Sequence, residues 1–92
     1  MPEPAPPKRQ WRSEARSSRF VAVAIRALGA RVKYLRKAAG LTQEGLADRA
    51  RLDTKHLQSI EAGKVNVTVA SLVGLARALE TPIASLFTTE KA

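Results

Sequence analysis

Between Phe20 and Ala39 the apolar residues Phe20, Ala24, Leu28, Val32, Leu35 and Ala39 recur every three or four positions. That spacing lines one face of a helix, because an α-helix turns once in about 3.6 residues. The pattern predicts a long first helix, open to interruption near Gly29. Gly40 follows the last periodic residue and Thr42 is a good N-cap, so a second helix is predicted over Gln43 to Ala50. A third is predicted from Asp53 or Thr54, either of which can cap it, to Ala62, with Gly63 closing it in the left-handed conformation. Thr68 caps a fourth helix through Leu79. Thr81 followed by Pro82 reads as N-cap and first helical residue of a short fifth helix, to about Phe87, after which Thr88 to Ala92 should fray. Period-two alternation is confined to the stretch Val65 to Val69, where a loop is needed. The predicted fold class is all-α.

Composition narrows what such a fold can do. A chain of 92 residues holds one domain and leaves no room for a second. Four of the five prolines lie in the first 18 residues, with Lys8, Arg9, Arg12 and Arg16 and no sustained apolar period. Residues 1–18 are therefore expected to form a mobile basic arm, 19–88 the domain and 89–92 a tail. Sixteen Lys and Arg against eight Asp and Glu give a formal net charge of +8, which attracts polyanions or anionic membranes. With no cysteine and one histidine, disulfide frameworks, thiolate metal sites and multi-histidine cages are excluded, and no cofactor or metal is expected. No uncharged apolar run reaches the roughly 18–20 residues that cross a bilayer, and no signal-peptide core follows Lys8 and Arg9, so a cytoplasmic protein is expected. Ser59 and His56 are three residues apart on a helix without a third orienting group, which argues against an enzyme.

The most informative stretch is Gln43 to Ala62, QEGLADRARLDTKHLQSIEA, where two short helices meet through a connection of three or four residues. So tight a joint forces a steep crossing. Leu46, Ala50, Leu52, Leu57 and Ile60 supply the apolar contacts, and Ala47 stands where a larger side chain would push the helices apart. This is a helix-turn-helix over residues 43–62. From about Leu28 to Phe87 the chain resembles the lambda-repressor-like (XRE, or phage-repressor) helix-turn-helix family. The resemblance is carried by R36-K-A-A-G40-L-T-Q43-E-G-L-A47, by I60-E-A-G63-K and by L72-V-G-L-A-R-A-L79 with P82-I-A-S-L-F87. L52-D-T-K-H-L-Q-S-I-E61 and V65-N-V-T look most similar to the controller proteins of restriction–modification systems. Two positions depart from the family pattern. Arg51 stands where glycine is usual in the turn, at a cost on the order of 1 kcal/mol, and Gly45 costs roughly 1 kcal/mol where a helix former is preferred.

The resemblance implies a five-helix domain that places its third helix in the major groove of double-stranded DNA. With Leu57 and Ile60 turned inward, Thr54, Lys55, Gln58 and Ser59 are left for the outer side. By the family pattern Thr54, Lys55 and Ser59 look like readers of base edges, with Gln58 a further candidate; the alternative for all four is a solvated polar face. Gln43, at a helix start that favours anions, is implied to bind phosphate, with Lys64, Asn66 and Thr68 on the same strand. His56 is a further phosphate candidate or simply solvated. Arg36 and Glu61 match a structural ion pair that ties the recognition helix to the first helix, and Arg36 could also extend to phosphate. The arm from Lys8 to Arg19, with Trp11, follows DNA or is a solubilising tail.

One module reads only a few base pairs, so a homodimer on two half-sites is expected, with Ile83, Leu86 and Phe87 as interface candidates, or else as intramolecular core. The stripe Phe20, Ala24, Leu28 either packs on the core or joins that contact. The function expected is a sequence-specific transcriptional regulator on a palindromic operator. The alternative is a protein-interaction module such as an antitoxin, which binds a partner protein and autoregulates its operon.

Overall fold

In a computed structural model, which describes residues 18–88, the chain forms α1 (Arg19–Ala38), α2 (Gln43–Ala50), α3 (Thr54–Glu61), α4 (Val69–Ala78) and a closing 3-10 turn (Ile83–Phe87). No strand occurs among the described residues. The basic arm through Ser17, including Trp11, and the tail from residue 89 lie outside them. No described helix is long and apolar enough to cross a membrane.

The inward faces follow the apolar spacing. Leu28 and Val32 of α1, Leu46, Ala47 and Ala50 of α2, Leu57 and Ile60 of α3, Leu72, Leu75 and Ala76 of α4, and Leu86 of the closing turn form one core. Around it α1 packs on α3 and the closing turn, while α2 packs on α3 and α4. Val65 and Val67, the alternating pair, lie in the connection before α4 and pack on the core from there. Their period of two reflects alternating burial along a connection, with Lys64 and Asn66 exposed beside them, and no strand forms there.

Caps set the helix limits. The hydroxyl of Ser18 accepts from the Phe20 amide, that of Thr42 from the Gly45 amide at 2.9 Å, and that of Thr68 from the Ser71 amide at 3.1 Å. Gly45 suits this arrangement, since a Cβ there would stand 3.2 Å from the Thr42 hydroxyl. Asp53 holds the N-cap position of α3 without a side-chain cap bond. All four helices close in the same way. The amide that follows the left-handed residue turns back five residues, as from Leu41 to Arg36, Leu52 to Ala47, Lys64 to Ser59 and Thr81 to Ala76. This Schellman closure requires a left-handed residue. Gly40 and Gly63 supply it at two ends, but Arg51 (φ 58°) and Glu80 (φ 54°) supply it at the others. The strain foreseen at Arg51 is therefore present, and Glu80 repeats it where the sequence offered no glycine.

Three expectations change. Gly29 does not interrupt α1, which runs unbroken for 20 residues. Its missing side chain serves a close crossing instead: a Cβ on Gly29 would collide with the Ile60 carbonyl oxygen and stand 3.0 Å from that of Glu61. The segment after Pro82 is a 3-10 turn and not a fifth α-helix. Thr81 does not start it: the first bond of the turn runs from the Ser85 amide to the Pro82 carbonyl at 2.9 Å, and Pro82 itself is extended and holds the N-cap position. Finally, Leu86 is fully buried in its own core, so it is withdrawn from the dimer candidates. Ile83 and Phe87, 40% and 62% exposed, keep that role open. Phe20 and Ala24 of the α1 stripe are exposed and only Leu28 reaches the core.

Because the α1–α3 crossing sits on backbone contact, Gly29→Ala should force the helices apart. Overpacking of this kind costs about 1–3 kcal/mol, and chemical denaturation is expected to show a loss of at least that size.

Candidate nucleic-acid interface

A buried ion pair governs this face. Arg36 of α1 meets Glu61, the last residue of α3, through Nε to Oε2 at 2.8 Å and Nη2 to Oε1 at 3.1 Å. The two side chains are 10% and 3% exposed. A carboxylate so enclosed is costly to desolvate unless donors meet it, and here three do. Gln43 Nε2 also donates to Glu61 Oε1 at 3.1 Å, while Arg36 Nη1 donates to the Leu41 carbonyl at 2.9 Å. No buried side-chain polar atom among the described residues lacks a partner. The guanidinium thus joins α1, the connection into α2 and the end of α3.

The network continues outward. With its amide nitrogen held by Glu61, Gln43 turns its oxygen away, and Gln58 Nε2 donates to that oxygen at 3.4 Å. Gln43, expected at a phosphate, is thereby also a link in an internal chain, and it keeps one N–H for an outside acceptor. Gln58, considered as a base reader, is anchored at one end and exposed. Neither link was visible in the sequence, since residues 43, 58 and 61 come together only when α2 crosses α3.

The predicted outer face of α3 is open. Leu57 and Ile60 are buried, Lys55 and Gln58 are exposed, and Thr54, His56 and Ser59 are half-covered. Thr54 and Gln58 line a recess with Thr42, Gln43 and Glu44, which brings the N-terminal ends of α2 and α3 together. Sequence reasoning assigned Thr42 only a capping role and passed over Glu44. A carboxylate at this rim repels phosphate and suits amino groups on bases. Lys55 and Ser59 stand on the outward side, and helical spacing puts His56 on the flank of α3 away from Gln58. Lys64 and Asn66 are exposed in the connection after α3. Thr68 is not free in the same sense, because its hydroxyl caps α4 and donates to Ser71 Oγ at 3.0 Å. Among the described residues no cluster of His, Cys, Asp or Glu could hold a metal ion.

This geometry has relatives. The helix-turn-helix family model matches residues 32–86, more than half of the chain. No curated protein matches the chain. Among solved structures, the restriction-modification controller protein C.AhdI from Aeromonas hydrophila is 35% identical, with a TM-score of 0.70 over 71% of this chain and 98% of that one. The wild-type restriction-modification controller protein C.Esp1396I is 28% identical, with a TM-score of 0.65 over 76% of this chain and 87% of that one. The clp gene regulator ClgR from Corynebacterium glutamicum is 28% identical, with a TM-score of 0.66 over 68% of this chain and 67% of that one. The chain therefore belongs to the helix-turn-helix family of XRE, lambda-repressor-like type, a family of DNA-binding transcription regulators. Within it, the chain is similar to restriction-modification controller proteins.

Removing one partner of the buried pair strands the other. Arg36→Met and Glu61→Met are each expected to cost about 3–5 kcal/mol, and the double variant clearly less than the sum. Urea unfolding of the two single variants and the double variant measures this coupling.

Proposed function

We propose that the protein is a homodimeric, sequence-specific regulator that binds a palindromic operator with α3 in the major groove. The observation that carries this reading is the division of α3. Its inner side is buried as Leu57 and Ile60, while Lys55 and Gln58 are exposed and Ser59 is half-covered beside the start of α2. Lys55 suits guanine O6 and N7, Thr54 brings a methyl for thymine, and Ser59 bonds either purine or pyrimidine edges. Gln58, steadied by Gln43, presents its remaining amide groups to a base.

Phosphate is met from the helix ends. Gln43 has a spare N–H at the start of α2, where the helix dipole favours an anion. Lys64 and Asn66 reach the same strand, and His56 touches it from the other flank. At Thr68 the contact comes from the end of α4, since the hydroxyl is engaged in the cap. Ile83 and Phe87 provide the apolar contact between two copies, which spaces two recognition helices by roughly 34–36 Å, one turn of DNA. Control of a restriction–modification operon is the role that the resemblance to C.AhdI favours.

Selection of bound duplexes from a random pool tests the assignment. The parent should enrich an inverted repeat; a pool without symmetry or any preference contradicts the reading. Lys55→Ala and Ser59→Ala should relax single positions of that repeat by about 1–3 kcal/mol, whereas Lys64→Ala should weaken all duplexes alike and lower the salt slope by about 1.

A further inference from the structure

At the end of α2 farthest from Gln43 lies a second basic feature. Arg49, Ala50 and Arg51 face Gly74, Arg77 and Ala78 of α4 across a groove of about 520 Å³. All three arginines are exposed, and none has a carboxylate within ion-pair reach among the described residues. The floor is made of small residues. Gly74 lets α4 approach the end of α2, for a Cβ there would stand 3.0 Å from the Ala50 carbonyl oxygen. Complementing the last carbonyls of two helices accounts for Arg49 and Arg77, one cation at each end. Arg51 is surplus to that need. It occupies a left-handed position at φ 58°, where glycine would avoid a cost on the order of 1 kcal/mol.

We infer that this groove docks an acidic segment of a second protein while the regulator is on DNA. Three guanidinium forks, one each from α2, the turn that follows it and α4, match carboxylates, which they bind in paired, charge-assisted geometry. The floor of Ala50, Gly74 and Ala78 carries only small side chains and leaves Asp and Glu side chains room to reach the three guanidinium groups. The inference rests on the proposed DNA-binding mode in one respect. There the duplex lies at the N-terminal ends of α2 and α4, and the eight residues of α2 set the groove about 12 Å away along the helix. The groove thus stays open when the operator is bound.

The test is a titration of isotope-labelled full-length protein, free and saturated with its selected duplex, with a synthetic peptide rich in Asp and Glu and its Asn and Gln counterpart. Amide resonances of Arg49 to Arg51 and of Arg77 and Ala78 should shift saturably with the acidic peptide in both states and not with the neutral one. The triple variant R49Q/R51Q/R77Q, whose changes are all at exposed positions, should bind the peptide about tenfold more weakly or worse and keep the parent's affinity for the duplex. Shifts confined to α3 that vanish on DNA overturn the inference, as does absence of binding. If the duplex itself moves the groove resonances and the triple variant loses duplex affinity, the groove is a phosphate contact and the inference also fails. Should no duplex be selected, the proposed function falls, and the DNA-free titration still decides whether the groove takes acidic chains.

Discussion

The buried contact between Arg36 and Glu61 constrains everything on the proposed DNA face. It joins the scaffold helix to the C-terminal end of the recognition helix, and both charges are nearly removed from water. Such a pair contributes little net stability compared with apolar residues of the same shape. Its importance lies in geometry. Glu61 accepts from Arg36 twice and from Gln43 once, and that fixed acceptor sets the direction in which Gln43 and then Gln58 must point. A carboxylate in the interior therefore orients two amides at the surface.

Close backbone contact reinforces the same crossing. Gly29 lets α1 approach the carbonyls of Ile60 and Glu61, so the ion pair and the glycine act on one joint. At the other side of the molecule, α2 and α4 approach through Gly74. The two glycines hold the recognition helix and its partner against a core of short aliphatic side chains, and the ends of α2 are left to two different kinds of surface. One carries amides and hydroxyls suited to bases and phosphates, the other a row of guanidinium groups.

Most of the fold was legible in local chemistry. Thr42 and Thr68 marked helix starts, Gly40 and Gly63 marked helix ends, and the apolar period placed Val32, Leu46, Leu57 and Ile60 inside. Most failures share a cause: they depend on contacts between distant segments. Gly29 reads as a helix breaker until α3 is laid across it. Pro82 reads as the first residue of a helix until its extended backbone is seen to hold the N-cap position, with its carbonyl accepting from Ser85. Leu86 and Phe87 are adjacent and equally apolar, and only the packing of the last turn sends one inward and the other out. At the candidate site, Lys55 and Gln58 were recognisable from helical spacing against two buried neighbours. The link from Gln58 through Gln43 to Glu61 was not, because hydrogen-bond direction depends on which groups meet.

The most direct test of this picture is the affinity of Glu61→Gln for the selected operator, measured at low temperature where circular dichroism shows the variant fully folded. A neutral amide can present its nitrogen to Gln43, so the outward order of donors and acceptors is no longer imposed. The account predicts a fall in affinity of about tenfold or more, equivalent to about 1.4 kcal/mol, in a protein that remains helical. Affinity equal to that of the parent would show that the buried carboxylate does not organise the DNA-facing amides, and would contradict the account.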